Sequence, residues 1–245
     1  MTSPVPPRGQ FTVIIPTLQK SDLLREVVLL CSNHALVREV LVINNAPEHV
    51  TFPHQKPKVI KPEKNIYVNP AWNLGAELAT SEYLVLVNDD VTFDPIVFDE
   101  LEKILGLGMY GIVGPDRSAF SLTESTKPGH GLARPSATIF GYGTFMAMRR
   151  KDYVPIPEEM RIWGGDDWLI LNQRRPPAAL TGIRFSTEMG TSSSSPEAQA
   201  LRAEEQETAD RLLAPLHNSR PWHRMWRLAD KGREIRHSIR TRLGR

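Results

Sequence analysis

The stretch Tyr83–Asp90 has the sequence YLVLVNDD, and it indicates the fold of this 245-residue chain. Tyr83 to Val87 form an apolar run, which is typical of a strand buried on both faces of a parallel sheet. The polar triplet Asn88-Asp89-Asp90 follows directly, so we expect it at the carboxyl end of that strand. In open α/β sheets, ligands bind at this edge.

The residues before this stretch predict a parallel βαβ unit. Phe11–Pro16 (FTVIIP) is a short apolar run of strand character, and Glu39–Asn44 (EVLVIN) is a second one. Between them, Ser21 or Asp22 is a candidate cap for a helix with a periodic apolar face that ends near Cys31. Strand, helix and strand at this spacing favour a right-handed crossover. We also predict a short strand over 58–61 and a helix over 71–79.

The residues after the triplet continue the alternation. Asp94 is the expected cap of the next helix, with Pro95 at its first position. Later segments are predicted from their composition: a long loop at 115–135, a strand at 137–148, a short helix at 166–173, a flexible polar run at 191–195 and a helix at 196–213. Together these predict an α/β fold with a mostly parallel central sheet flanked by helices.

Length and composition favour an ordinary globular enzyme. The chain is 40% hydrophobic and 24% charged, which is enough to bury a full core in one domain. We expect residues 1–10 to be disordered, 11–214 to form the main domain and 215–245 to form a basic tail. The single cysteine, Cys31, lies in an apolar helical pattern and is expected in the core. Without a disulfide framework, signal peptide or membrane span, we expect a cytoplasmic location.

The adjacent carboxylates Asp89 and Asp90 repel each other, and like charges side by side are costly unless a positive charge neutralises them. Mn²⁺ or Mg²⁺ meets this need, since these ions prefer oxygen ligands and commonly take one or two carboxylates together with phosphates. The alternative is a structural turn, because Asn and Asp are also frequent where strands end. From the triplet alone both interpretations stay open.

A second acidic site lies in the sequence WGGDDW, from Trp163 to Trp168. Gly164 and Gly165 permit a close backbone approach, and a carboxylate just beyond them is placed to take a proton from an acceptor hydroxyl. Repulsion between Asp166 and Asp167 should raise the pKa of one of them. The tryptophans are candidates for stacking on a sugar. Alternatively, the glycines form a turn, the aspartates cap the next helix and the tryptophans belong to the core.

The order of these elements resembles the nucleotide-binding half of glycosyltransferase family 2, the inverting enzymes of the GT-A fold. The resemblance extends over residues 11–173, and WGGDDW is similar to the acidic element that carries the base of such enzymes. It implies a nucleotide-binding half at 11–90 and an acceptor half at 91–214. The matching donor-side residues are Pro16, Thr17, Asn44, Asn45, Asn65 and Asn73, together with Asn88, Asp89 and Asp90.

The resemblance also implies a role for each acidic residue. Asp90 matches the metal ligand, and Asp89 is expected to assist at the metal or the ribose. Asp167 matches the catalytic base, and Asp166 matches the acid that holds the acceptor, with Trp163, Gly164, Gly165 and Trp168 around the sugar. The implied reaction is a single displacement that inverts the anomeric carbon of a nucleotide diphosphate sugar, with a UDP-sugar as the expected donor.

Three positions depart from the family pattern. Asn44 stands where relatives often have the aspartate that contacts the base, and Asn presents both a donor and an acceptor. Asn88 replaces the first acid of the Asp-X-Asp element. Relatives often place a metal-binding histidine near residues 187–191, where Glu188 is the only candidate ligand in this chain. Glu188 is therefore either a third metal ligand or a surface residue.

The C-terminal tail leaves three interpretations open. Its aromatic and aliphatic residues fall near helical spacing with arginines between them, which is typical of a basic amphipathic helix. Such a helix suits an anionic membrane surface, as an enzyme with a lipid-linked acceptor would need, or a phosphate backbone, as an enzyme acting on a modified DNA base would need. The third interpretation is a helix that packs Trp222 and Trp226 on the main domain. A glycan is the remaining candidate acceptor.

Two other functions fit parts of the pattern. A sugar-phosphate nucleotidyltransferase shares the broad fold and the metal, but usually opens with a glycine-rich loop, and only TLQKSD (17–22) follows the first strand here. A non-catalytic module that binds sugar or nucleic acid is the third class. The presence of two acidic sites favours catalysis.

Overall fold

The computed structural model of the chain describes residues 9–133, 141–188 and 196–224, together with 226 and 228. The strands are β1 (Phe11–Thr17), β2 (Val37–Asn44), β3 (Pro57–Ile60), β4 (Tyr83–Val87), β5 (Val91–Phe93), β6 (Ile112–Pro115), β7 (Gly129–Leu132), β8 (Phe145–Arg149), β9 (Ala178–Thr181) and β10 (Phe185–Thr187). The helices are α1 (Leu24–Asn33), α2 (Val68–Leu78), α3 (Val97–Leu107), α4 (Gly165–Leu171) and α5 (Pro196–Leu213). The predicted α/β fold is confirmed.

The central sheet has eight strands in the order β3-β2-β1-β4-β8-β6-β9-β7. Strands β3, β2, β1 and β4 are parallel, β8 runs antiparallel to both of its neighbours, and β9 is parallel to β6. A separate ribbon pairs β5 with β10. The carboxyl ends of β2, β1 and β4 therefore lie at one edge, where Asn44, Thr17 and Asn88 follow one another across the sheet.

Helices cover both faces of this sheet, which explains why its strands are continuously apolar. Alternate residues of β1 point to opposite sides, so Val13 and Ile15 lie in one core and Ile14 in the other. α1 and α3 contribute to the first core, and α2, α4 and α5 contribute to the second. Cys31 is buried in the first core as expected, and its burial raises the pKa of the thiol.

Several predicted boundaries are corrected by the structure. Thr17 belongs to β1, although Pro16 was expected to end the strand. α3 begins at Val97 rather than at Pro95, because Asp94 forms a turn in which its carboxylate accepts from the Ile96 N–H at 3.1 Å. The loop predicted at 115–135 contains a 3₁₀ turn (Arg117–Ser121) and the edge strand β7.

The remaining segment predictions have mixed outcomes. α5 spans the predicted residues, α4 ends at Leu171, and α2 begins at Val68, earlier than predicted. The strand predicted at 137–148 is corrected: residues 141–144 form a turn, and β8 covers only 145–149. Residues 134–140 lie outside the described residues, as do 1–8, the polar run at 191–195 and the tail from 229. No helix in the described part of the chain is long and apolar enough to cross a membrane.

Gly75 allows α2 to pack closely on β1. A Cβ atom at Gly75 would lie 2.4 Å from Ile14 Cγ2, which is a severe overlap with a side chain that has no exposed surface. We therefore expect Gly75→Ala to lower the free energy of unfolding by about 1–3 kcal/mol, as overpacking does in cores. Urea unfolding measures the change.

Gly106→Ala is the matched control for this prediction. Gly106 is also helical, in α3, but no atom lies within 4 Å of its added Cβ. Alanine should therefore stabilise that helix by up to about 1 kcal/mol through its higher helix propensity. Equal stabilities of the two variants would contradict the close packing of α2 on β1.

Candidate functional site

The acidic triplet lies at the carboxyl end of β4, as predicted. The N–H of Asn88 donates to the carbonyl oxygen of Thr144 at 3.0 Å, so the triplet begins beside the residues that precede β8. The Asp89 carboxylate accepts a hydrogen bond from the Thr17 hydroxyl at the end of β1. Asp90 is buried. Two neighbouring strands thus position both carboxylates.

The electrostatics of the triplet favour a cation. Burial raises the pKa of Asp89 to about 6, the hydrogen bond from Thr17 opposes this rise, and the negative charge of Asp90 adds to it. A divalent ion would stabilise both carboxylates in their charged form. Among the described residues, no group of three or more His, Cys, Asp or Glu side chains converges on a common point. The protein therefore offers two carboxylates, which is the usual contribution when phosphates supply the other ligands of Mg²⁺.

Glu188 lies next to Asp90 along the ribbon of β5 and β10. The ribbon pairs Thr187 with Val91, and the N–H of Glu188 then donates to the carbonyl oxygen of Asp90 at 3.3 Å. Side chains directly opposite each other in an antiparallel pair project from the same face. The Glu188 side chain is exposed, and its role as a metal ligand stays a prediction.

The second acidic site is at the beginning of α4. Gly164 precedes this helix with a φ of 72°, a left-handed conformation that favours glycine, and Asp166 and Asp167 lie in the first turn. Burial raises the pKa of Asp166, whereas the N–H groups of Asp167 and Asp166 oppose the rise. The Asp167 side chain reaches the solvent. Its pKa is raised to about 7, mainly because surrounding protein atoms displace water from it and also because of the negative charge of Asp166. The predicted repulsion within this pair is therefore present.

The dipeptide Gly143-Thr144 joins the two acidic sites. Thr144 accepts the hydrogen bond from Asn88, and a Cβ atom at Gly143 would lie 3.1 Å from Asp166 Oδ2. The Asp166 carboxylate therefore lies close to Gly143. The next residue, Thr144, binds Asn88 of the triplet. Two sites that are far apart in the sequence are therefore brought near the same dipeptide.

The predicted donor-side asparagines form hydrogen bonds within the protein. Asn45 Oδ1 accepts from the Ile66 N–H at 3.1 Å, and Asn65 Oδ1 accepts from the Tyr67 N–H at 2.8 Å, so both shape the segment that leads into α2. Asn73 binds Ile156 through both its amide oxygen and its amide nitrogen, at 2.9 and 2.8 Å. These bonds connect α2 with the segment at Ile156, and a contact between Asn73 and the donor stays a prediction.

Asn44 is also engaged by its neighbours. It is buried, its oxygen accepts from Ala46 N and Gln19 Nε2 at 3.1 Å each, and its nitrogen donates to Glu48 O at 2.7 Å. A contact between Asn44 and a nucleotide base stays a prediction, and it requires one of these bonds to be exchanged. Gln19, which no sequence motif marks, binds both Asn44 and Thr17. Its backbone φ is 55°, and its N–H donates to the Thr17 hydroxyl at 2.8 Å.

The two tryptophans of WGGDDW are partly buried against the second core. Trp168 Nε1 donates to the carbonyl oxygen of Pro155 at 3.1 Å, which fixes the ring over that segment. Gly164 and Gly165 allow close packing inside the protein, since an added Cβ at Gly164 would lie 2.8 Å from Met160 Cε. These contacts match the structural alternative for the tryptophans and glycines, and a contact with sugar stays a prediction.

The beginning of the tail packs on the main domain. Trp222 is buried and its indole N–H donates to the carbonyl oxygen of Gln173 at 3.0 Å, while that of Trp226 donates to Ala133 O at 2.6 Å. This is the third of the interpretations that the sequence left open. The structure places these tryptophans on the protein itself.

Comparison with known proteins identifies the family. The model of the family described as Glycosyl transferase family 2 matches residues 12–157, which is more than half of the chain. No curated protein sequence matches the chain.

Solved structures share the fold. The crystal structure of S. aureus TarS 1–349 is 16% identical, with a TM-score of 0.56 over 85% of this chain and 71% of that one, and its complex with UDP-GlcNAc gives the same score over 85% and 72%. The chain also aligns with the longer crystal structure of S. aureus TarS, with 15% identity and a TM-score of 0.59, and it spans 39% of that protein. At these identities the likeness establishes a GT-A fold.

Gly165 is the position where the second acidic site tolerates least change. An added Cβ would lie 2.1 Å from Asn69 Oδ1, and Asn69 is buried and held by a hydrogen bond from its Nδ2 to Met160 O at 2.9 Å. We expect Gly165→Ala to destabilise the protein by about 1–3 kcal/mol. Urea unfolding of this variant, of Asn69→Ala and of the double variant measures the effect.

The double variant isolates the contact between the two residues. Asn69→Ala removes the obstructing oxygen as well as the bond to Met160, so the two costs should not add. We expect the double variant to be more stable than the sum of the single effects predicts, by about 0.5–3 kcal/mol. Additive costs would contradict the proposed overlap.

Proposed function

Since the chain belongs to glycosyltransferase family 2, we propose that it transfers a sugar from a nucleotide diphosphate donor to an acceptor hydroxyl, with inversion at the anomeric carbon. The proposal assigns the donor diphosphate to the triplet at 88–90 and the acceptor to the acidic pair at 166–167. The observation that carries it is the meeting of both acidic sites at Gly143-Thr144.

The proposed reaction is a single displacement. The acceptor oxygen forms a bond to the anomeric carbon while the bond from that carbon to the donor phosphate oxygen breaks. Asp167 takes the hydroxyl proton, and the nucleoside diphosphate leaves with the bonding electron pair. Asp166 lies beside Asp167 and is proposed to hold the acceptor by a hydrogen bond. A base on one side of the sugar and a diphosphate site on the other suit an in-line attack.

Asp90 and Asp89 would hold the metal ion, with Glu188 as a further candidate. Their carboxylate oxygens are hard ligands, which suit Mn²⁺ or Mg²⁺. When bound, such an ion supplies positive charge that offsets the charge building up on the departing diphosphate. The Thr17 hydroxyl keeps the Asp89 carboxylate directed toward the edge of the sheet.

A uridine diphosphate sugar is the proposed donor. S. aureus TarS, which shares the fold, has been crystallised with UDP-GlcNAc and with UDP. In this chain Asn44 and Gln19 provide amide donors and acceptors at the carboxyl ends of β1 and β2, and amides of this kind match the polar edge of uracil. Membership of the family favours sugar transfer over nucleotidyl transfer and over a non-catalytic role.

Metal-dependent donor binding tests the assignment of Asp90. We expect UDP with Mn²⁺ to raise the midpoint of thermal unfolding by about 5 °C or more near saturation, because a ligand specific to the folded state stabilises it. UDP with EDTA should give little shift, and Asp90→Asn should lose most of the shift with Mn²⁺. Glu188→Gln is the comparison variant, and we expect a smaller loss because that side chain is exposed. An equal shift in wild type and Asp90→Asn would contradict the assignment.

The base is tested by turnover. We expect Asp167→Asn to lower kcat by about 10²–10⁴-fold, because an amide cannot accept the hydroxyl proton. The thermal shift with UDP and Mn²⁺ should stay, since Asp167 lies in the acceptor site. Release of UDP from a UDP-sugar in the presence of acceptor measures turnover. Unchanged turnover in Asp167→Asn would exclude this role.

The pH dependence of turnover checks that Asp167 is the group that must be deprotonated. The base works when it is deprotonated, so kcat/KM should fall as the pH drops below the raised pKa of about 7. Asp166→Asn removes the neighbouring negative charge that helps to raise this pKa, so the acidic limb should move to lower pH even though the variant is slower. If the acidic limb of the kcat/KM profile stays in place or moves to higher pH in Asp166→Asn, a group other than Asp167 determines that limb.

A further inference from the structure

Glu205, in the middle of α5, is a buried acid with contacts to the loop that precedes the second acidic site. Only 3% of its side chain is exposed. Its Oε2 accepts from the backbone N–H groups of Ile162 and Trp163 at 2.8 and 3.1 Å, and its Oε1 accepts from Arg161 Nε at 2.9 Å. One carboxylate thus binds three consecutive residues of another segment.

The hydrogen bonds satisfy both the buried Glu205 carboxylate and the backbone N–H groups of the loop. A buried carboxylate is costly unless it is paired and hydrogen-bonded, and here both oxygens have donors. The loop at 161–164 belongs to neither a helix nor a strand, so the N–H groups of Ile162 and Trp163 need partners from elsewhere. Hydrogen bonds to a charged acceptor are stronger than those between neutral groups. Glu205 therefore fixes the path of this loop.

The loop is also held by α2. The Asn69 N–H donates to Arg161 O at 3.0 Å, and Asn69 Nδ2 donates to Met160 O at 2.9 Å. Ala209 of α5 lies close to Gly164, since an added Cβ at Gly164 would lie 3.3 Å from Ala209 Cβ. The loop thus has contacts with two helices, and it leads through Gly165 to Asp166 and Asp167.

Arg161 connects the same loop with the donor side. Its guanidinium lies over the ring of Tyr67, 5.5 Å from the centroid, at the beginning of α2. The Tyr67 N–H binds Asn65 Oδ1, and the adjacent Ile66 N–H binds Asn45 Oδ1 beyond the end of β2. Arg161 therefore packs on the residue that precedes α2 as well as binding Glu205.

We propose that Glu205 is a positioning residue that sets the location of Asp166 and Asp167 relative to the triplet at 88–90. The proposal rests on the proposed function, in which Asp167 takes the proton of the acceptor. Glu205 reaches the reacting groups only through the loop. Its loss should change the rate of the chemical step more than the binding of the donor, because a base displaced by about 1 Å can lose on the order of 10²-fold in rate.

Glu205→Gln and Glu205→Ala test the proposal, with Glu204→Gln as the matched control. Glutamine keeps an oxygen for the two N–H groups but faces Arg161 Nε with a second donor, and alanine removes all three bonds. Glu204 is adjacent in α5, its side chain is 71% exposed, and it approaches Arg161 Nη2 only at 3.5 Å. We expect kcat to fall by about 10-fold in Glu205→Gln and by about 10²-fold in Glu205→Ala. KM for the UDP-sugar and the thermal shift with UDP should stay near those of wild type.

Hydrogen exchange at the amides of Ile162 and Trp163 is the second readout, and it does not depend on turnover. Exchange should be faster in both Glu205 variants and unchanged in Glu204→Gln. Active Glu205 variants with wild-type kcat, or with a loss confined to KM, would overturn the proposal. If Glu205→Ala does not fold, Glu205→Gln alone decides. Absence of turnover in wild type would refute the proposed function, and exchange alone would then decide whether Glu205 holds the loop.

Discussion

The antiparallel pairing of β4 with β8 is the constraint on which the candidate site depends. It pairs Val87 with Phe145, so the residues just before β8 must lie beside the residues just after β4. Gly143 and Thr144 are thereby placed against Asn88 on one side and against Asp166 on the other. If β8 were parallel to β4, as the strands on the other side are, the residues before it would lie at the opposite edge of the sheet. The reversed strand therefore brings Gly143, Thr144 and the second acidic site to the edge where the triplet lies.

The carboxylates of this site differ in kind from a structural one elsewhere in the chain. Burial would raise the pKa of Glu39, but hydrogen bonds from Lys58, Thr80 and Thr12 lower it to about 2. Asp89 and Asp167 are also deprived of water, yet the nearest charge to each is another carboxylate, and their pKa values rise. Fully compensated carboxylates stabilise a fold. Carboxylates that lack such compensation are suited to binding a cation or accepting a proton.

Support for the site comes from the far end of the chain. α5 and the tryptophans that follow it complete the second core, which also contains α2 and α4. Glu205 binds the loop at 161–164, Asn69 binds Met160 and Arg161, and Trp222 binds the carbonyl oxygen of Gln173, just after α4. Helix α5 and the first residues of the tail are therefore part of the structure that holds Asp166 and Asp167. This gives Trp222 a structural function in place of a docking role.

The sequence by itself determined the fold class, the strands β1, β2 and β4, and both acidic sites, because long apolar runs and adjacent carboxylates are local patterns. The sequence also indicated that Glu205 is buried, because a spacing of four residues places it on the same helical face as Ala209 and Leu213. Only the tertiary structure decided which partners those residues have. Short strands such as β5, β7 and β10 lack a periodic pattern, and an amide such as Asn73 serves a ligand or the protein equally well until its neighbours are known. Hydrogen bonds between Asn69, Arg161 and Glu205 join residues far apart in the chain, and such contacts exist only after the core has brought the helices together.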